Sequence, residues 1–387
     1  MKLKDIAEYV TDKISSDAID LDCYVTTDSL LQNKAGREIA VNLPPKVCNL
    51  TRFRKGDILI GNIRPYLKKI WMADVDGGCN ADVLVIRAKD GHYPSFIYAL
   101  LLQDTFYEYA MKGAKGSKMP RGDKEQIMRY KIPTLSSTEE SIGKFIVDIR
   151  DKIALLTQIN RNLEAMARQL YDYWFVQFDF PDKNGKPYKF SGGKMVWDEK
   201  LKREIPEGWD AALMKDFLVI GNGKDHKDLE TGIYPVYGSG GLMRYVNEFL
   251  FSGESVLLPR KGSLSNFMYV NEPFWTVDTM FYTKEKLKGA AKYIYYSMRY
   301  VDITRYDSGT GVPSMTSISY YAMPFVKPTN DIIKLFDEIL SPWIAQIKRN
   351  EVQIKNLTKQ RDELLPLLMN GQVSVMPPEV NCDLSRD

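Results

Sequence analysis

The chain is poor in the residues that hold metals and move protons near neutral pH. Its 387 residues include only two histidines, His92 and His226, and four cysteines, Cys23, Cys48, Cys79 and Cys382, none in a C-x-x-C pair. This spacing offers neither a structural zinc site nor a disulfide framework, and isolated thiols fit a reducing compartment. No apolar run approaches membrane-spanning length, and the opening MKLKDIAEYV lacks the apolar centre of a signal peptide. A cytoplasmic protein without a membrane segment is expected. The phosphate-gripping pattern GxxxxGK[ST] is missing: GNGKD at Gly221 lacks both the upstream glycine and the hydroxyl residue. Two distant histidines exclude HExxH. The Asn/Asp-Pro-Pro-aromatic loop that grips the amino group of a flipped base is missing too, because NLPPK and MPPEV have the wrong neighbours. A formal net charge of +3 is mildly basic and does not by itself announce a nucleic-acid binder.

Two short stretches imitate sites. GSGG at Gly238 follows YPVY with no helix start behind it and reads as a hairpin turn. Asp182, with Asp198, Glu199 and Lys200 further on, imitates a nuclease pattern. That chemistry needs its carboxylates on adjacent strands around Mg²⁺, whereas these lie in a Gly/Pro/Lys-rich stretch of poor strand character.

What the chain does have is a duplication. Apolar residues recur at three and four over Ile142, Phe145, Ile149, Leu156, Leu163, Met166, Leu170 and Trp174. They recur again over Ile332, Phe336, Ile339, Trp343, Ile347, Ile354, Leu357, Leu364 and Leu368. Phe145 corresponds to Phe336, Ile153 to Ile344 and Pro133 to Pro324 at one constant offset. Ser137 and Glu140 have capping-box spacing before the first helix, and Thr329 and Asn330 are cap types before the second. Helices of roughly 40 residues span about 60 Å, too long to bury their stripes inside one small domain. They are expected to pack on each other, antiparallel, with Asn350 and Arg361 on or beside the seam. Pro342 is expected to kink the second helix, and Pro366 and Gly371 mark its end.

The segments ahead of the helices echo one another as well. From Gly56 and from Gly253 the order is glycine turn, apolar strand, basic loop, strand, turn, strand, with Asp82 and Asp278 in matching places. LKDIAEYV at Leu3 echoes MKDFLVIG at Met214, and turn-rich stretches from Met111 and Tyr306 precede each long helix. PSFIYALLLQDTFYEYAMKG and KGAAKYIYYSMRYVDITRYDSG read as the helices of the two domains. The expected class is α+β with an internal pseudo-twofold repeat. The boundaries are a domain at 1–138, helix at 139–178, linker at 179–204, domain at 205–328, helix at 329–371 and tail at 372–387. Cations gather in the expected loops: Lys112, Lys115, Lys118 and Arg121; Arg52, Arg54 and Lys55; Arg64, Lys68 and Lys69 around Tyr66; and, in the second half, Lys224, Lys227, Arg244, Arg260 and Lys261, interleaved with Tyr237, Ser239, Ser263 and Asn266. Cations hold phosphates and short polar side chains reach base edges, so glycine-flanked loops of this kind suit DNA contact.

LYDYWFVQFDFP from Leu170, IPEGW from Ile205 and LLPLLMNGQVSV from Leu364 resemble signatures of the specificity subunits of type I restriction-modification systems. The resemblance covers essentially the whole chain, although the first half has no IPEGW-like lead-in. It implies two target-recognition domains, each reading one half of a split double-stranded DNA site. It also implies a helix pair that sets the spacer and docks two modification (methyltransferase) subunits, with restriction subunits joining for cleavage. S-adenosylmethionine would sit in the modification subunits, no cofactor in this chain, and the chain would be non-catalytic. The expected DNA contacts are Arg64, Tyr66, Lys115, Lys118 and Arg121 in the first half. In the second they are Lys224, Tyr237, Ser239, Arg260, Lys261 and Thr310. The expected docking residues are Tyr171, Trp174, Phe175 and Trp343. The rival readings are a stand-alone DNA-binding protein with a coiled-coil spacer, and a nuclease built on Asp182 and Glu199.

Overall fold

A computed structural model describes residues 1–116, 118–132, 138–309 and 311–375. The chain forms two compact units: unit 1 is Met1–Thr157 with Glu351–Asp387, and unit 2 is Gln158–Asn350.

In unit 1 the turn of helix Leu3–Ile6 delivers the chain to strand Ala7–Tyr9, with the Asp5 carboxylate accepting the Lys2 N–H at 2.7 Å. That strand edges an antiparallel sheet in the order Ala7–Tyr9, Val83–Ala88, Ile58–Gly61, Ile70–Met72. The two inner strands are apolar from Ile58 to Ile60 and from Val83 to Ile86 because both faces are covered there, and successive side chains point to opposite faces; the charged pair Glu8 and Arg87 sits at the edge. Ile58, Ile60, Leu84 and Ile86 meet helices Pro94–Leu101 and Asp104–Lys112. Leu59, Val83, Val85 and Trp71 meet a second sheet, whose parallel pair joins Tyr24–Val25 to Gly77–Cys79.

Unit 2 repeats this plan. Helix Met214–Phe217 leads into Leu218–Asn222, and Asp216 accepts the Leu213 N–H at 2.8 Å. The sheet order is Leu218–Asn222, Met280–Glu285, Glu254–Pro259, Met268–Asn271, again antiparallel throughout. Val256, Leu258 and Phe281 face helix Ala290–Ser297, while Leu257, Met280 and Val270 face Phe274. On that second side a hairpin, Thr231–Gly238 with Gly241–Val246, pairs in parallel with Trp275–Thr276.

Two expectations change. Neither expected domain helix is continuous: Gln103, in extended conformation, separates Pro94–Leu101 from Asp104–Lys112, and Ala290–Ser297 gives way to 3₁₀ turns at Met298–Tyr300 and Ile303–Tyr306. The stretch at 179–204 is not strandless, because Met195–Asp198 pairs with Arg203–Pro206 across its boundary with the second domain.

The first long helix is Glu139–Tyr171, prolonged by a π-turn at Asp172–Val176, and the second, Asn330–Met369, runs through Pro342 without interruption. Pro133 and Ser137 lie outside the described residues. Thr138 takes the cap position, its Oγ1 accepting the Ser141 N–H at 3.2 Å. In unit 1, Ile142 and Ile146 share a core with Leu365 and Met369. In unit 2, Ala167 and Tyr171 share one with Ile333, Phe336 and Leu340. Gly143 lets the first helix close on Pro94–Leu101, since a Cβ there would lie 2.6 Å from the Phe96 amide nitrogen.

Candidate nucleic-acid interface

In unit 1 the strand Ile58–Gly61 ends in a basic loop whose backbone is clamped to a second, turn-rich loop. Arg64 donates its N–H to the Pro120 carbonyl at 2.7 Å, Gly122 donates to Asn62 at 3.1 Å, and Ile63 faces Arg121 in a β-bridge. Asn62 in turn donates to the Asp82 carbonyl at 2.9 Å. The expected residues Arg64, Tyr66, Lys115, Lys118 and Arg121 are all exposed on these two loops. Arg121 reaches the Asp82 carboxylate at 3.0 Å and Lys115 reaches Asp123 at 3.4 Å, so both cations are held at the loop surface. Asp123 also caps the helix Lys124–Met128. Its carboxyl is held below the ordinary range first by the Gln126 N–H, with the Lys115 ammonium adding to the effect.

Unit 2 rebuilds the junction bond for bond. Gly262 donates to Pro313 at 3.0 Å, Met315 donates to Arg260 at 2.9 Å, Lys261 faces Ser314 in a β-bridge, and Arg260 donates to Thr279 at 2.8 Å. The left-handed position held by Arg64 (φ 52°) in unit 1 therefore belongs to Gly262 (φ 89°) in unit 2. Arg121 corresponds to Ser314, and the helix cap Asp123 corresponds to Thr316. Arg260 and Lys261 are exposed, the Arg260 guanidinium 5.7 Å from the Phe281 ring centre. The facing loop is organised by Asp307, whose Oδ1 accepts the N–H groups of Gly309 at 2.9 Å and Ser314 at 2.8 Å. Those two bonds, Ser314 first, hold its carboxyl below the usual range. Thr310 lies outside the described residues.

The remaining expected contacts flank this junction. GSGG closes the hairpin with Gly238 opposite Gly241, as a turn. Ser239 borders a cleft of about 470 Å³ with Lys227, Met243, Asp278 and Thr279. Lys224 is exposed, its N–H bonded to Thr276 at 2.8 Å. Tyr237 is half-buried, its ring beside Phe274 and its carbonyl accepting the Val277 N–H. Three cations of the expected clusters serve the fold instead. Lys69 is buried with its ammonium on the Thr27 carbonyl, and Lys68 pairs with Asp104 at 2.8 Å. Arg244 spans the carbonyls of His226 and Leu229 at 2.5 and 2.7 Å.

Asp182 and Asp198 are likewise occupied locally. Asp182 Oδ1 accepts the N–H groups of Asn184 and Lys186, and Asp198 Oδ1 those of Lys200 and Leu201. Among the described residues no group of three or more His, Cys, Asp or Glu side chains could hold a metal ion. No described helix is long and apolar enough to cross a membrane.

Three of the four aromatics expected to dock partners are core residues. Tyr171, Trp174 and Phe175 are buried in unit 2 around Phe336, with Phe175 edge-on to it at 5.0 Å, and Trp343 packs half-buried on the same cluster. Tyr171 also donates its hydroxyl to Ser297 at 2.9 Å. Buried rings have no face to offer a partner. The exposed apolar residues at this end of the helix are Met166, Tyr173 and Val176. The seam also holds a residue that the pattern missed. Asn160 stands between Leu156 and Leu163, and its Oδ1 accepts the Nδ2–H of Asn350 at 2.7 Å, both side chains being buried. Its position on the helical stripe was the available signal.

The type I restriction modification DNA specificity domain matches residues 1–165 and again residues 206–357. The chain belongs to this family. Its role is that of a DNA sequence-specificity subunit. The MjaIX specificity subunit of Methanocaldococcus jannaschii is 24% identical over 357 residues, covering 85% of this chain and 80% of the relative. The HindI specificity subunit of Haemophilus influenzae is 21% identical over 462 residues, covering 96% and 98%. Among solved structures, the S subunit of a type I restriction-modification system from M. genitalium superposes with a TM-score of 0.64, over 95% of each chain at 15% identity. At that identity the likeness shows the fold alone.

Proposed function

We propose that this specificity subunit reads a bipartite double-stranded DNA site. Residues 1–138 would bind one half and residues 205–328 the other. The observation that carries this is the loop junction built twice from the same backbone bonds, each time surfaced by cations: Arg64 and Arg121 in unit 1, Arg260 and Lys261 in unit 2. Cations on both loops hold phosphates, and the polar residues between them reach base edges.

The two long helices serve as an antiparallel, coiled-coil-like spacer that sets the number of unread base pairs. The sharing of cores by opposite ends of the two helices, and the Asn160–Asn350 bond, support that arrangement. Two modification subunits dock on the outer faces of the helices, with Met166, Tyr173 and Val176 the exposed apolar residues suited to contact. Those subunits carry S-adenosylmethionine and methylate adenine, and restriction subunits complete the cleaving complex. The chain itself supplies recognition and geometry.

The test is to insert one heptad into each long helix beside Asn160 and Asn350, keeping the pairing. About 10 Å of added helix lengthens the spacer by roughly three base pairs at about 3.4 Å each. Methylome sequencing of a host carrying the altered chain with its modification subunit reads the result. An unchanged spacer sinks the proposal. Sequence-independent binding by the isolated chain, with no bipartite methylation, moves the stand-alone binder to first place.

A further inference from the structure

The second layer of unit 2 ends in a two-stranded antiparallel ribbon, Thr231–Gly238 and Gly241–Val246, with a glycine-rich tip. One face is ordinary core. Val236 and Val246 are fully buried against Trp275 and Val277. The exposed side chains depart from the usual antiparallel pattern, in which residues turned to water are polar: Ile233 is 77% exposed, Met243 55% and Leu242 51%. Leu242 and Met243 sit beside the tip, where Gly238 faces Gly241.

Exposed cations lie on one side of that tip, and the cleft on the other side is lined by Asp278 and the Asp225–Lys227 pair. The Ser239 carbonyl accepts the Asn266 Nδ2–H at 2.9 Å, and Gly262, next to exposed Arg260 and Lys261, lies against the Ser239 side chain. A ribbon with an apolar edge beside the cations Arg260 and Lys261 suits a DNA groove. Phosphates line the rim, and the floor presents thymine methyl groups among the polar base edges. The major groove, about 12 Å wide, admits a two-stranded ribbon.

Unit 1 has no ribbon of this length among its described residues. Its strand Tyr24–Val25 runs parallel to Gly77–Cys79, as Val236–Tyr237 runs parallel to Trp275–Thr276. The chain then enters a turn in which Thr26 and Ser29 exchange side-chain and backbone hydrogen bonds, and only a short antiparallel contact follows: Leu30 faces Arg37 in a β-bridge and Leu31 donates its N–H to the Gly36 carbonyl at 2.8 Å.

We propose that the Thr231–Val246 hairpin is a base-reading arm of unit 2, with Leu242 and Met243 contacting thymine methyl groups in the major groove, so that the two half-sites are read by different devices. This rests on the reading of unit 2 as a DNA-recognition domain.

The experiment is methylome sequencing of hosts carrying the full chain with its modification subunit, as wild type and as Leu242→Ala/Met243→Ala. The expected result is a bipartite motif in which one half-site loses roughly tenfold discrimination at one or two A·T positions, with the other half-site and the spacer intact. An unaltered motif overturns the proposal. If the paired variant abolishes methylation, Leu242→Ser alone decides: a relaxed half-site supports the arm, and an unaltered one refutes it. A wild-type chain that yields no bipartite motif refutes the recognition reading itself, and the arm with it.

Discussion

The Asn160–Asn350 bond allows a prediction whose sign depends on how many partners are removed. Asn350 is 2% exposed and Asn160 9%, at a bond length of 2.7 Å. The other oxygen and nitrogen are also placed. Asn350 Oδ1 accepts the Gln346 Nε2–H at 2.7 Å, and Asn160 Nδ2 points at the Ile347 carbonyl, 3.4 Å away. Replacing Asn160 with Leu leaves the Asn350 amide buried without that acceptor, which costs about 1–3 kcal/mol. Replacing Asn350 with Leu strands Asn160 in the same way. The double variant removes both polar groups and continues the leucine line of Leu156 and Leu163, so it should match or exceed the wild type. The coupling between the two sites is then the sum of the two single losses, about 2–6 kcal/mol. At roughly 2–4 °C per kcal/mol for a unit of this size, each single variant lowers the Tm of unit 2 by about 2–12 °C while the double does not. Denaturant titration of the four chains measures the coupling. Strictly additive losses, with the double variant the least stable, would refute the reasoning.

Other consequences are as direct. Phe336→Ala empties the centre of the aromatic cluster holding Tyr171, Trp174 and Phe175 and should cost about 3–5 kcal/mol by chemical denaturation. Gly143→Ala drives a methyl group against the Phe96 amide, which backbone cannot yield cheaply, and should cost about 1–3 kcal/mol in unit 1. Arg121→Gln should weaken DNA binding evenly across sequences and reduce the salt slope by roughly one, measured by titration at several salt concentrations. Asp307 has a lowered carboxyl pKa, so its contribution is fully present above the unfolded value and is lost as pH falls through the folded one. The 307–314 loop should therefore hold its order at neutral pH and lose it only in acid below the ordinary carboxylate range. Hydrogen exchange at the Gly309 and Ser314 amides over a pH series checks this, and Asp307→Ala should raise exchange at both amides above the folded value of Asp307 and change nothing below it.

The duplication and the long helices were legible in the linear pattern because each depends on spacing alone, and the family was legible through the resemblance of LYDYWFVQFDFP, IPEGW and LLPLLMNGQVSV to its signatures. Apolar residues at three and four specify a helix with a buried stripe wherever it packs, and two copies at one offset specify two such helices. The stripe's centre line was not legible. Ile332 and Ile333, Ile339 and Leu340, Leu364 and Leu365 are adjacent apolar pairs, and only packing buries the second member of each more deeply. Met166 fits the period yet is exposed, with Ala167 taking the core position. The burial of Tyr171, Trp174 and Phe175 was not legible for the same reason: composition marks a ring as apolar, but the surrounding fold decides whether it faces water. The cation clusters divided in the same way. Lys68, Lys69 and Arg244 look like Arg64, Lys118 and Lys261 in the sequence, yet carbonyls and a carboxylate brought from distant segments hold the first three. Local period and residue type thus determined the elements and their repeat. Which side chains face inward, which charges are already spent on the fold, and that Gly262 stands where Arg64 does were decided only when non-local backbone met in three dimensions.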